Sequence, residues 1–355
     1  MSSDLQDRKD DHLDLCATDR VAFRGVSTLL EDVKLLHQSL PEMRLEDVDT
    51  SVALLGKRLR LPLVIAGMTG GTDRASDVNR ALAAIAEKRG IGFGVGSQRA
   101  MGQQPETAAS YQVRAVAPTT LVLGNVGVVQ ARAWGSDVVR GLVDAIGADA
   151  LCVHMNPAME LIQANGDRDF RGGQETLELL VRELAVPVVA KETGNGISPR
   201  TAEQLVAAGV RTVDVSGAGG TSWVGVETLR AAGPSRDLGV ALWDWGIPTA
   251  AAISYAARRG MTVIATGGIR TGSDVARAIA LGASAAGMAR RALTALTDGG
   301  PAAVDALIDG VEAELRAIML LTGSSNVDDL SRTPRVITGE LPQWLDADAG
   351  ALPRR

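Results

Sequence analysis

The segment His154-Met155-Asn156-Pro157-Ala158-Met159-Glu160 sets an imidazole, an amide and a carboxylate within one short stretch. It follows the apolar run Ala150-Leu151-Cys152-Val153, which reads as a buried strand, so the three groups gather at a strand end. A neutral imidazole and an amide can hold a polar substrate, and a carboxylate can hold a hard divalent cation. The same residues also fit a plain helix start after Asn156, with Pro157 in first position and Glu160 as a favourable first-turn acid. Close behind, Gly166-Asp167-Arg168-Asp169-Phe170-Arg171-Gly172 alternates charges. It fits either a salt-bridged loop or a structured lid or oligomer contact.

Lys191, one of five lysines, also ends an apolar strand, where losing its hydration demands a partner. Two chemistries fit it. A cation there can hold the N1/O2 edge of a reduced flavin, or a buried amine can form the Schiff base of an aldolase. Gly-Gly pairs near the flanking strand ends let a flat ring approach the backbone, which favours the flavin. Gly267-Gly268-Ile269-Arg270 and Gly287-Met288-Ala289-Arg290 are two glycine turns, each followed by arginine. Two such loops side by side can hold a phosphate on backbone N–H groups.

These residues need a scaffold that brings distant strand ends together. From Pro62 onward, short apolar runs alternate with helical stretches. The runs are 63–67, 91–96, 121–124, 150–154, 188–191, 212–216, 262–266 and 285–289. The helical stretches include 77–88, 137–146, 176–184, 199–208 and 273–281. Several joints repeat one pattern around Gly147, Gly209 and Gly282, where a left-handed glycine turns the chain back into the sheet. Eight strand–helix units predict a (β/α)8 TIM barrel, an α/β fold whose chemistry sits at the C-terminal strand ends. A doubly wound sheet would carry GxGxxG after its first strand, and Met68-Thr69-Gly70-Gly71-Thr72 does not match it. The expected organisation is a single domain over 1–355. It has an N-terminal arm and lead-in (1–60), a barrel (61–295), and a C-terminal helix (302–321) with an irregular tail (296–355 in all). Residues 1–20 are charged, and Arg8-Lys9-Asp10-Asp11-His12 fits either a solvated helix start or a basic arm reaching a phosphate.

Composition narrows the function. Aromatic residues make up 3% of the chain and the net charge is −6, which argues against nucleic-acid binding. A local basic pocket for a small phosphorylated ligand remains compatible with that charge. Cys16 and Cys152 are the two cysteines, without metal-ligand spacing, and Cys152 reads as a small core hydrophobe. No apolar run reaches membrane-spanning length and the N-terminus has no signal-peptide core, so a soluble, cytoplasmic protein is expected.

Taken in order, these motifs resemble type 2 isopentenyl-diphosphate delta-isomerase, an FMN-dependent barrel family that interconverts isopentenyl and dimethylallyl diphosphate. The likeness runs through Arg8–His12, Gly67–Gly71, Gly96–Arg99, His154–Pro157, Gly166–Gly172, Lys191-Glu192 and Ser216-Gly217. It continues through Gly219–Thr221, Trp245-Gly246, Gly267–Arg270 and the tail Thr338-Gly339-Glu340-Leu341. The resemblance implies FMN on Gly67, Met68 and Thr69, with Ser97, Asn125, Lys191, Ser216 and Thr221 around its ring and ribityl chain. It implies the FMN phosphate at Gly267, Gly268, Arg270, Ala289 and Arg290. The substrate diphosphate would meet Arg8, Lys9, Arg99, His154, Asn156 and Gln163, bridged by Mg²⁺ on Glu160. It further implies reduced FMN supplied through NADPH, proton movement at the alkene without net redox change, and a homo-oligomer, tetramer or octamer.

One position departs from the family pattern, which places Gln immediately before the metal-binding Glu as an aid to proton transfer. Here it is Met159, and a thioether has no proton to give. Two outcomes follow: Met159 is a tolerated variant, or it redirects the site to a different or longer prenyl diphosphate, isomerised or cyclised. A Schiff-base aldolase on Lys191 and a non-catalytic flavoprotein are the readings of other classes. An FMN 2-hydroxy-acid oxidase would carry a His–Arg pair after strand seven, where Thr266-Gly267-Gly268 stands instead.

Overall fold

The computed structural model describes residues 2–349, with side chains described for residues 9–348. Eight parallel strands close a barrel: β1 (Leu63–Ile65), β2 (Gly92–Gly94), β3 (Val122–Gly127), β4 (Ala150–His154), β5 (Val188–Lys191), β6 (Thr212–Asp214), β7 (Thr262–Thr266) and β8 (Ala285–Met288). Each pairs with its successor, and β8 returns to β1 through Ala286–Leu63, Gly287–Val64 and Met288–Ile65. All eight expected strands are present; β1, β2, β6 and β8 are one to three residues shorter because pairing stops where the chain turns outward over the rim, whereas β3 runs three residues further, to Gly127.

Period-two alternation sorts the strand residues between two cores. Val64, Leu123, Cys152, Val189, Ile264 and Ala285 point into the barrel, and Cys152 is the small core residue expected. Leu63, Ile65, Phe93, Val122 and Leu151 face the surrounding helices. The lead-in closes the lower end: the antiparallel pair 52–54 and 57–59 inserts Leu54 and Leu59, both 1% exposed, beneath the interior cluster. Each such leucine contributes about 1.5–3 kcal/mol by leaving water.

Helix ends follow local chemistry. In Asp73–Arg89 the Thr72 hydroxyl accepts from Ala75 N at 3.1 Å, and Gly90 (φ 64°) ends the helix. Thr271 and Asp274 form a reciprocal capping box at the start of Gly272–Ala280, which fixes the turn carrying Arg270. The joint glycines Gly147, Gly209 and Gly282 are left-handed, with φ of 59°, 79° and 110°.

One expectation holds and two need correction. The C-terminal helix 302–321 is present as the second half of Arg290–Leu321, which breaks at Gly299-Gly300 and Pro301 because Gly300 (φ 66°) leaves the helical region. The tail is ordered: Val327–Ser331 is capped by Asn326, and 335–337 pairs antiparallel with 33–35. Helix Leu341–Ala349 follows it. That pairing joins segments some three hundred residues apart, which local pattern cannot show. The charged N-terminal run is not merely a solvated helix start, and it remains compatible with a basic arm reaching a phosphate, since it carries Lys9 to the cavity at the strand ends. Helix Ser2–Cys16 packs on the barrel through Leu13 (3% exposed) and Cys16 (8%), against Val226 and Leu293. No helix among the described residues is long and apolar enough to cross a membrane.

Candidate active site

A cavity opens at the C-terminal end of the barrel, and every residue expected to hold FMN, substrate or metal, and Met159 with them, lines it except Arg8, whose side chain lies outside those described. The residues come from all eight strand ends, from the N-terminal helix and from the turn before Arg290.

Along one wall stands the β4 end. His154 Nδ1 lies 2.8 Å from Asn125 Oδ1. An amide oxygen only accepts, so Nδ1 carries the proton and Nε2 presents a lone pair. Burial, helped by the charge of Lys191, holds the imidazole down to about 3, so it is neutral at physiological pH. Asn156 then opens the helix Pro157–Ile162, with Pro157 at its first position. The helix-start reading holds, and the chemical one is compatible with it, because the turn that starts the helix also brings Glu160 to the cavity.

Glu160 is 6% exposed and meets neutral donors: Asn156 Nδ2 at 3.1 Å on Oε1, Gln163 Nε2 at 3.5 Å and the Asp167 N–H at 2.7 Å on Oε2. The Gly166–Gly172 loop clasps it. The Arg168 guanidinium donates to the Glu160 carbonyl, and a Cβ on Gly166 would sit 2.1 Å from that carbonyl oxygen. Asp167 also accepts from Gln130 at 2.7 Å and lies 3.9 Å from Arg99. The loop is thus a folded edge of the site, and its charges are spent within the chain. Met159 lines the cavity with its sulfur 3.6 Å from Asn156 Nδ2.

Across the cavity the backbone is bare. Gly267 and Gly268 take φ of 105° and 74°, and a Cβ on the facing Gly220 would come 2.3 Å from Gly268 N. Arg270 reaches Gly219 O at 3.4 Å. Arg290 pairs with Asp19 at 3.2 Å while burial works against its charge, so an anion there is favoured. Three buried hydroxyls of cavity residues, Thr69, Thr193 and Thr266, have no hydrogen-bond partner. Buried polar groups are seldom left unpaired, which fits a polar ligand occupying this space. A flat ring over bare backbone, with a phosphate near two arginines and the N-terminus of Arg290–Leu321, fits what is present.

Lys191, 6% exposed, is paired with Asp214 at 2.9 Å. It does not stand alone in an apolar pocket, so the burial-activated amine of an aldolase is not what its surroundings provide. Next to it, one oxygen of Glu192 accepts the N–H groups of Thr193, Gly194 and Asn195 at 2.6, 2.8 and 2.5 Å, shaping the loop after β5. Burial nonetheless pushes this carboxyl up to about 7.

Several cavity residues escaped the sequence reading. His12 Nε2 donates to Glu227 Oε1 at 2.8 Å and meets Trp223 edge to face. Its position in the charged run masked it. Gln130 lies five residues past Asn125, Thr193 two past Lys191, beyond a search of one position per strand. Asp214 carries the same signal as Lys191, a charge inside an apolar strand, and was readable.

Comparison with known proteins places this geometry. A model of the FMN-dependent dehydrogenase family matches residues 1–159 and 155–337. The isopentenyl-diphosphate delta-isomerase of Methanosarcina barkeri is 45% identical over 350 residues, covering 97% of this chain and 95% of its own. Proteins of the same name from Methanothermobacter thermautotrophicus (42%; 96% of each chain) and Nostoc sp. (43%; 94% and 96%) are similarly close. Among solved structures, a mandelate oxidase variant with an FMN adduct superposes with a TM-score of 0.65 at 23% identity, over 92% of this chain and 95% of that one. At that identity the likeness concerns the fold alone.

Proposed function

The chain belongs to the FMN-dependent dehydrogenase family and, within it, to the isopentenyl-diphosphate delta-isomerases. From that premise we propose that it converts isopentenyl diphosphate to dimethylallyl diphosphate by proton addition and removal, with reduced FMN, Mg²⁺ and NADPH as reductant. The observation that carries this reading is the division of the cavity: amides, an imidazole and a carboxylate on the β4 side, bare glycines and two arginines on the β7–β8 side. FMN, when bound in its reduced form, supplies the proton-transfer centre at the alkene.

This chain's residues do the rest. Gly67, Met68, Thr69, Ser97, Asn125, Ser216 and Thr221 would hold the flavin, and Gly267, Gly268, Arg270, Ala289 and Arg290 its phosphate. Lys9, Arg99, Asn156 and Gln163 offer donors to the substrate diphosphate. His154, with a lone pair at Nε2, suits a water of the hydrated cation or a protonated phosphate oxygen. Among the described residues no three His, Cys, Asp or Glu side chains come together as a metal cluster. Mg²⁺ needs none, since it keeps several waters and joins one or two carboxylates to phosphate oxygens. Glu160 Oε1, which among the described residues accepts from Asn156 alone, retains a lone pair for it, whereas Oε2 already accepts from Gln163 and the Asp167 N–H. Residues 1–355 are read as one domain of a homo-oligomer, tetramer or octamer.

A second reading rests on Met159. Its thioether meets Asn156 where an amide would add a donor and an acceptor, so this wall of the cavity is more apolar. A different or longer prenyl diphosphate, isomerised or cyclised, would suit it. Anaerobic assays separate the two. The first reading expects dimethylallyl diphosphate from the unaltered chain, dependent on FMN, NADPH and Mg²⁺ together, at a rate comparable to Met159→Gln. Product from Met159→Gln alone supports the second reading and contradicts the first.

A further inference from the structure

Counting two residues from Cys152 and Val189, which face the barrel interior, places His154 and Lys191 on the same inward face. Asp214 is in register with both Lys191 on β5 and the inward-facing Ile264 on β7. These three form one polar layer, in which His154 and Lys191 line the cavity and Asp214 stands behind them. Within it one carboxylate serves two neighbours. Asp214 Oδ2 accepts from Lys191 Nζ at 2.9 Å, and Oδ1 from the Ser216 N–H at 3.2 Å. Ser216 is held there at φ 34°, a left-handed conformation that a serine rarely adopts. Asp214 is 3% exposed and does not itself line the cavity, whereas Lys191 and Ser216 do.

We propose that Asp214 is a positioning residue for the flavin: it fixes Lys191 and Ser216 against the ring and, by balancing the ammonium charge, sets how strongly the site favours reduced FMN. An unbalanced cation beside the ring would stabilise an anionic reduced flavin strongly. The paired one stabilises it less, because the nearby carboxylate opposes it through a poorly screening interior. An asparagine cannot replace this group, since its single oxygen can accept from Lys191 or from Ser216 while its NH₂ faces the other donor. The inference rests on FMN binding and is independent of which prenyl diphosphate the site takes.

The test is the midpoint potential of FMN bound to the whole chain, measured by equilibration with redox dyes. Asp214→Asn is expected to raise it by about 30 mV or more, a tenfold change in the ratio of reduced to oxidised flavin for a two-electron couple. An unchanged or lowered potential in the fully loaded variant overturns the proposal. A merely structural aspartate would alter melting temperature or FMN occupancy and leave the potential of the bound flavin where it was. A comparison of Lys191→Met with Lys191→Met/Asp214→Asn covers the case in which Asp214→Asn does not hold FMN. The lone carboxylate of the single variant should depress the potential, and the double variant should recover about tenfold in the same ratio. Equal potentials in the two overturn the proposal.

Discussion

Glu160 shows how much one side chain can depend on its neighbours. Amides and a backbone N–H hold its oxygens, none of them a competing cation. Glu160→Gln preserves the shape but turns an acceptor into a donor facing the Asn156 or Asp167 N–H. Turnover of isopentenyl diphosphate is expected to fall on the order of 10²–10⁴-fold and to lose its Mg²⁺ dependence, as expected for losing several kcal/mol of charge stabilisation. Steady-state kinetics across a Mg²⁺ titration check this. His154 supplies a second test. Its pKa lies near 3 in the fold and about 6.5 in the unfolded chain, so the unfolded state binds the extra proton between those values. Its contribution is complete above about pH 6.5 and is lost as pH falls toward 3. The stability difference between the native chain and His154→Asn should therefore shrink by up to ~1.4 kcal/mol per pH unit on acidification. Urea unfolding at pH 7, 6 and 5 measures it. Both residues were legible in the sequence because they stand at or just past the end of an apolar run, although the same stretch also fits a plain helix start.

Among the elements, the N-terminal helix Ser2–Cys16 changes most between sequence and structure. It lies against the cavity, lined there by Lys9, His12, Leu13 and Cys16. Its attachments are His12 to Glu227, Asp11 to Arg230 at 3.1 Å and Asp14 to Arg74 at 2.6 Å. The exposed ion pairs contribute about 0–1 kcal/mol each, so Leu13 and Cys16 dominate the docking. Removing residues 1–16 is expected to leave the barrel folded by circular dichroism. It should raise KM for isopentenyl diphosphate tenfold or more, because Lys9 and the roof of the cavity go with it. An unchanged KM would mean that the helix covers the site without contributing to it. The charge run pointed to a basic arm but not to its docking, since the partners Glu227 and Arg230 lie more than two hundred positions away. The barrel strands were legible for the opposite reason: each is a local apolar run, and the glycine joints at 147, 209 and 282 mark where each helix ends.

At the scale of the molecule, a chain of net charge −6 gathers Lys9, Arg99, Lys191, Arg270 and Arg290 around one cavity. A closed barrel makes this possible, because eight strand ends distant in sequence meet on one rim. What the sequence left open, whether Lys191 serves a flavin or a Schiff base, is narrowed by Asp214 beside it, which is not the apolar surrounding of an aldolase amine, and by the FMN-dependent family to which the chain belongs. On the second reading proposed above, Met159 is the residue on which the choice of substrate would turn. The most direct measurement is anaerobic turnover of isopentenyl diphosphate in deuterated water with FMN, NADPH and Mg²⁺, followed by mass spectrometry and NMR of the product. The account predicts dimethylallyl diphosphate carrying deuterium at its newly formed methyl group. Failure to form any dimethylallyl diphosphate, with FMN bound and fully reduced, would contradict it.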